Sequence, residues 1–224
     1  MRKTPVYFSI SAVLYITVFF SSAHAVSVQS DVLYSGITSS VIPILHGYKV
    51  LYQYKPSGTY RLYIVDLAGT NEEVRDNLTK YLWPLDFSGT HAAWITYSGG
   101  SGGIPIGGGG GGIGDPGQIP GSGAAYKVEL MDIDTKNETK ITNDTTYKDF
   151  LSMDEQAVIW TDYRHSTASD TFNEIYYSPL NNPSPGRITS TVSYKASVDI
   201  HGGKMVWQDY RNAGGGSNAD IYFR

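Results

Sequence analysis

A pentapeptide occurs twice in this chain. Trp160-Thr161-Asp162-Tyr163-Arg164 returns as Trp207-Gln208-Asp209-Tyr210-Arg211, 47 residues later. Each copy follows two apolar residues, Val158-Ile159 or Met205-Val206, and leads through a small polar loop to an Ile-Tyr element. Those elements are Asn173-Glu174-Ile175-Tyr176 and Asn218-Ala219-Asp220-Ile221-Tyr222, with their isoleucines 46 residues apart. A period in the forties, made of short β-type runs and turns, marks stacked sheet units, because one such unit cannot bury its own apolar face.

Two weaker copies precede these. Ile44 to Leu51 matches Asp199 to Trp207 with one residue of slack, a hairpin in which Gly supplies the positive φ of the turn, so Leu51 takes the Trp position. Ala92-Ala93-Trp94-Ile95-Thr96-Tyr97 is the second copy. The Trp-position series Leu51, Trp94, Trp160, Trp207 then has spacings of 43, 66 and 47. The long spacing contains a tract from Ser98 to Ala124 that holds 14 of the 25 glycines, six of them consecutive at Gly107–Gly112. Removing about twenty residues restores the period, so 98–124 reads as a loop insertion. A phosphate loop would need a following Lys-Ser or Lys-Thr and a helix, and neither is written there.

Arg61 to Leu67 and Tyr126 to Ile133 alternate as strands, and Ile141-Thr142 and Ile188-Thr189 mark short fourth strands. Ile37-Thr38-Ser39-Ser40-Val41 echoes Ile188-Thr189-Ser190-Thr191-Val192. The expected fold is all-β: a propeller-like array of four antiparallel sheets over residues 26–224, with a fourth unit that has three strands of its own. The strand around Val32 to Thr38 completes that last unit, either in cis, which we favour, or by donation to a neighbouring molecule. The recurring Trp, with Ile159 and Val206, is expected to fill the space between units, each ring contributing about 2 to 3 kcal/mol.

The string Val-Trp-x-Asp-x-Arg followed by Asn-x-Asp-Ile-Tyr resembles the TolB-type β-propeller repeat of bacterial and archaeal cell-envelope proteins. The resemblance runs from about Val32 to Arg224, is close in the last two units, and is degraded in the first two, where Leu51 and Trp94-Ile95-Thr96-Tyr97 lack the Asp and Arg. It implies the fold and an extracellular, envelope location. It implies no catalytic site, because such blades serve unrelated functions.

Export is also readable locally. Arg2 and Lys3, an apolar run from Val6 to Phe20, and Ala23-His24-Ala25 read as a signal peptide over residues 1–25, with a retained membrane anchor as the competing reading. Those residues carry two bases and no acid, so cleavage takes the net charge from −4 to −6. A mildly acidic product of this kind offers nothing to nucleic acid or to an anionic membrane surface, leaving protein or glycan at the cell surface, or the chain itself, as partners. With no cysteine, the fold closes without disulfides or thiolate metal sites.

Asp162 with Arg164, and Asp209 with Arg211, are the charged pairs that invite a functional reading. Recurrence favours a structural clasp, tying each strand end to the following loop through Asn173 or Asn218, since a catalytic pair is needed only once. Oxygen ligands for calcium collect among Asp162, Asp170, Asn173 and Glu174, or Asp209, Asn218 and Asp220, although the spacing matches no calcium loop. His46, His91 and His201 fall in corresponding turns and read as solvated. Asn77, Asn137 and Asn143 begin glycosylation sequons, and Asn77 and Asn143 are expected in the same outer loop. No catalytic residue, cofactor or nucleotide motif is indicated, so the expected role is non-enzymatic. A subunit of an extracellular filament or sheath and a carbohydrate-active enzyme are the alternatives.

Overall fold

The structure is a computed structural model describing residues 43–66, 68, 70–78, 82–98, 125–167, 170, 172–213 and 218–224. The signal sequence, the strand expected over 32–38 and the Gly-rich tract from 99 lie outside the described residues. Every regular element among the described residues is a strand: β1 Ile44–His46, β2 Lys49–Ser57, β3 Thr59–Asp66, β4 Asn71–Leu78, β5 Leu85–Phe87, β6 His91–Ser98, β7 Ala125–Asp132, β8 Glu138–Lys140, β9 Lys148–Met153, β10 Ala157–Asp162, β11 Glu174–Pro179, β12 Gly186–Arg187, β13 Lys195–His201, β14 Lys204–Asp209 and β15 Asp220–Phe223. They form four antiparallel meanders in chain order, β1–β4, β5–β8, β9–β12 and β13–β15. The fourth sheet has three strands and leaves β15 as an edge among the described residues.

The repeat is written most clearly in the second and third strands of each sheet. Trp160 stands opposite Tyr176 and Trp207 opposite Tyr222. Each pair stacks, at 6.1 Å and 23° in one sheet and 6.0 Å and 21° in the other. In the first sheet the same place is taken by Tyr52 opposite Tyr63, stacked at 5.4 Å and 18°. Leu51 therefore does not hold the Trp position. The hairpin His46-Gly47-Tyr48-Lys49 aligns with His201-Gly202-Gly203-Lys204 without slack. One residue of assumed slack moves every side chain to the other face of the sheet. The corrected series is Tyr52, Trp94, Trp160, Trp207.

Each recurring ring faces the sheet that precedes it, and the residues beside it face the sheet that follows. Trp94 and Phe87 pack against Leu51, Leu62 and Ile64 of the first sheet. Trp160 and Val158 pack against Ala93, Ile95, Val128 and Leu130 of the second. Trp207, Val198 and Ile200 pack against Ile159 and Ile175 of the third. On the first sheet, Val50, Tyr52 and Val65 form a small cluster with Tyr54 and Tyr63 that contains no residue of the other sheets. Among the described residues no core cluster joins the first and the fourth sheets. Val206, expected as inter-sheet filling, is 42% exposed, because none of these clusters places a sheet over its face.

Candidate functional site

The repeated Asp–Arg pairs are built to be self-sufficient. Asp162 and Asp209 are both fully buried. In the third sheet the indole N–H of Trp160 donates to Asp162 Oδ2 at 3.3 Å, the Arg164 amide to Oδ1 at 3.0 Å, and its guanidinium to Oδ2 at 2.5 Å. In the fourth, Trp207 and Arg211 make the same three bonds to Asp209, at 3.3, 3.0 and 2.5 Å. A hydroxyl completes each set, from Thr146 at 3.0 Å and from Ser193 at 2.7 Å. Both guanidiniums then lie over the tyrosine beside the tryptophan, 4.2 Å from the Tyr176 ring and 4.1 Å from the Tyr222 ring. Burial alone would raise the Asp209 carboxyl, but the bonds from Arg211, Ser193 and Trp207 outweigh it and hold its pKa down at about 2. Both oxygens of each carboxylate are engaged in these bonds.

Several sequence expectations are corrected by where the side chains go. Asn173 does not extend the Asp162 clasp; it reaches into the next sheet, accepting the Lys195 amide at 2.6 Å and donating to the Lys195 carbonyl at 2.8 Å. In the register of the fourth sheet its place belongs to Ala219, and Asn218 is exposed. The oxygens suggested for calcium do not converge. Asp162 is held by Trp160, Arg164 and Thr146, whereas Glu174 is held by Thr189 and Arg187 with Lys195 Nζ 3.4 Å away. Asp209 has its own clasp, and Asp220 accepts from Asn212 at 2.8 Å. Among the described residues no group of three or more His, Asp or Glu could hold a metal. His46 pairs with Glu155 at 2.9 Å, and His91 lies beside Thr90 at 3.0 Å. Asn77, Asn137 and Asn143 are all exposed. Asn77 and Asn143 do not share a loop, however: Asn77 belongs to β4 and Asn143 to the connection between β8 and β9.

Two polar groups were missed in the sequence because their members come from different sheets. Asp86, Ser152 and Asp199 occupy the same register position in the first strands of the last three sheets. Ser152 donates to Asp199 at 2.9 Å, and the Met153 amide donates to Asp86 at 2.7 Å. Burial pushes the Asp86 carboxyl above its usual range against those bonds. In the second group, Asp149 accepts from the Thr161 hydroxyl and lies near Tyr147, which packs on Tyr126 at 4.9 Å and on Tyr163 at 5.0 Å. Burial raises Asp149 to about 7. The equivalence of first strands that would reveal these sets depends on the hairpin register, which residue spacing alone left ambiguous.

The remaining feature is an open face. Ile159, Ile175 and Tyr177 of the third sheet lie in the cluster shared with the fourth. Their register equivalents, Val206, Ile221 and Phe223, are 42, 71 and 83% exposed. Among the described residues the adjoining edge is open as well. In the two preceding sheets one residue of the third strand is sealed by an Ile-Thr pair: Ile141 N–H donates to the Val128 carbonyl at 2.9 Å, and Thr142 Oγ1 accepts the Val128 amide at 2.9 Å. Ile188 and Thr189 do the same for Ile175, at 2.8 and 2.9 Å. The equivalent residue in the fourth sheet is Ile221, on the edge strand.

This geometry is similar to that of several solved structures. TolB from Acinetobacter baumannii superposes with a TM-score of 0.54 at 19% identity, over 88% of this chain and 43% of that one. The β-propeller domain of the Trilobed protease from Pyrococcus furiosus gives 0.54 at 10% identity, over 82% and 48%. The fold is a β-propeller. The tricorn protease gives 0.51 at 13% identity, over 78% of this chain and 16% of that one. The propeller thus spans less than half the length of these structures. No family model matches the sequence, and no curated protein matches it.

Proposed function

We propose that this propeller is a secreted or cell-surface structural and interaction module that performs no catalysis and binds protein through the open face of its fourth sheet. The observation that carries the reading is the exposure of Val206, Ile221 and Phe223 at positions whose equivalents are covered in every other sheet. Contiguous apolar area of this kind, beside a strand edge that no described residue pairs, is where proteins associate. The aspartates of the repeat support the same reading, since both oxygens of each accept hydrogen bonds within the blade. An exported location is supported by the leader-like residues 1–25 and by the likeness in shape to TolB. Among the described residues no helix is long and apolar enough to cross a membrane. A carbohydrate-active enzyme, the competing reading, could draw a carboxylate pair from Asp86 and Asp199, which influence each other electrostatically.

The test is a photo-crosslinking amino acid placed at Phe223 in the native host, with a second at exposed Tyr48 as the control. The expected result is a protein adduct from position 223 in the surface fraction. Absence of any adduct there, or hydrolysis of a glycan by the purified protein that disappears in Asp86→Asn and Asp199→Asn, would replace this reading with another.

A further inference from the structure

We infer that the Asp149 carboxyl and the tyrosines around it, between the third and fourth sheets, form a binding site for an organic ammonium ion, the group carried by a lysine side chain or a small amine. The inference uses none of the residues of the open face and stands or falls separately from the reading above.

The repeat separates what is structural here from what is not. Tyr147 and Tyr194 precede the first strands of the third and fourth sheets, and Tyr163 and Tyr210 follow the second strands. The Tyr163 amide donates to the Tyr147 carbonyl and the Tyr210 amide to the Tyr194 carbonyl, both at 3.0 Å. The ring pairs are tilted alike, by 47° at 5.0 Å and by 48° at 5.6 Å. Recurrence makes these pairs part of the blade. Asp149 does not recur: its register equivalent in the fourth sheet is Ala196. The residue after each is the extra one of a bulge, Phe150 at φ 42° and Ser197 at φ 50°. A bulky side chain is disfavoured at positive φ, and a carboxyl is disfavoured where it loses water. The third sheet therefore departs from its twin at two successive positions, each against its own preference, and Phe150 is held there by the cluster shared with the fourth sheet. Departures of that kind gather at functional positions.

Asp149 is surrounded by hydroxyls and rings. It accepts from Thr161 and from Tyr147. After burial, its charge is the next cause pushing the Tyr147, Tyr163 and Tyr194 phenols up, which places all three beside it. Tyr126 adds its ring edge-on to Tyr147, at 88°. Asp144, Asp162 and Asp209 each pair with a lysine or an arginine, whereas among the described residues no cation pairs with Asp149. Asp149, Tyr147 and Tyr194 all keep part of their surface in solvent. Electron-rich rings and a carboxyl without a counter-ion are the two kinds of group that attract an organic cation. A compact ammonium suits them better than a guanidinium, whose two-point grip needs both carboxylate oxygens free of the Thr161 and Tyr147 bonds. On arrival it supplies the missing counter-ion and displaces the proton that burial keeps on the carboxyl.

The test is calorimetry of the purified protein at pH 7 in two buffers of different ionisation enthalpy. The probes are choline, N-acetyl-lysine N-methylamide, and 3,3-dimethylbutanol as the uncharged counterpart of choline. Both cations are expected to bind and the alcohol is not. Each bound cation should release about half a proton, because the carboxyl is about half ionised at that pH. Asp149→Asn should abolish the proton release and weaken binding about tenfold. Tyr194→Leu should weaken binding while Tyr194→Phe, which keeps the ring, should not, and this pair decides the matter if circular dichroism shows Asp149→Asn to be unfolded. Tighter binding of the lysine derivative would identify a partner's side chain as the source and tighter binding of choline a small amine; either supports the site. No binding at millimolar concentration, equal binding of the alcohol, or cation binding unchanged in a folded Asp149→Asn would overturn the inference and leave the reading of the open face intact.

Discussion

The third and fourth sheets carry nearly the same residues at the same register positions, and differ in having a neighbour on the following side. Ile175 and Ile221 sit in equivalent places, yet one is 1% and the other 71% exposed. The clasp around the aspartate is the same in both to within 0.3 Å, and it holds without regard to what covers the face. The aspartate clasp is thus the property of a single blade, whereas apolar burial is the property of a pair. This is the pattern of a quasi-linear array, in which each unit supplies part of its stability and each interface the rest.

The contrast is most readily broken at the isoleucines. Ile175→Ala should lower stability by about 3 kcal/mol, as a truncation in a packed interface does, while Ile221→Ala in the monomeric protein should stay within about 0.5 kcal/mol. Urea unfolding followed by tryptophan fluorescence reads both. Next in size is Asn173→Ala, which removes two bonds to the Lys195 backbone and should cost about 2 kcal/mol. The reverse change, Ala219→Asn, should do nothing until the face is covered.

The two remaining effects appear in the pH profile. Because the folded Asp209 has a pKa of about 2, its contribution is complete above the unfolded value near 4 and is lost as pH falls toward 2. Asp209→Asn should therefore flatten the acid limb by roughly 2 kcal/mol at most, seen as a smaller fall in Tm between pH 4 and 2. Asp149 has the opposite sign. Its raised value, about 7, means that the folded chain holds a proton which the unfolded chain has released, so stability falls as pH rises from about 4 to about 7. Ala196 takes its place in the fourth sheet, and Asp149→Asn should remove that slope, seen as a Tm that no longer falls between pH 4 and 7.

Much of the fold was legible because the repeat is written twice in full. The Trp-x-Asp-Tyr-Arg strings placed the last two sheets correctly, and recurrence marked their charges as structural before any distance was known. The first sheet was less legible. Tyr52 stands where the others have tryptophan, and the neighbouring Leu51 is equally apolar, so composition could not choose between opposite faces; the stacked Tyr63 across the strand decides it. Asn173 was misread for a related reason: its partner, Lys195, lies 22 residues on and in another sheet. Side chains that bridge neighbouring blades carry no local signature, whereas those that close a turn or clasp within one blade do.

The amide grips at Gln53 and Asn173 both point forward along the chain, from one sheet to the backbone of the next. Melting should accordingly begin at the terminal sheets, each of which has a neighbour on one side only among the described residues, and travel inward. Amide exchange would then be fastest in β15 and slowest where two neighbours clamp a strand. Whatever seats itself on that last sheet would lengthen the lifetime of the whole chain, because it would shut the door through which unfolding enters.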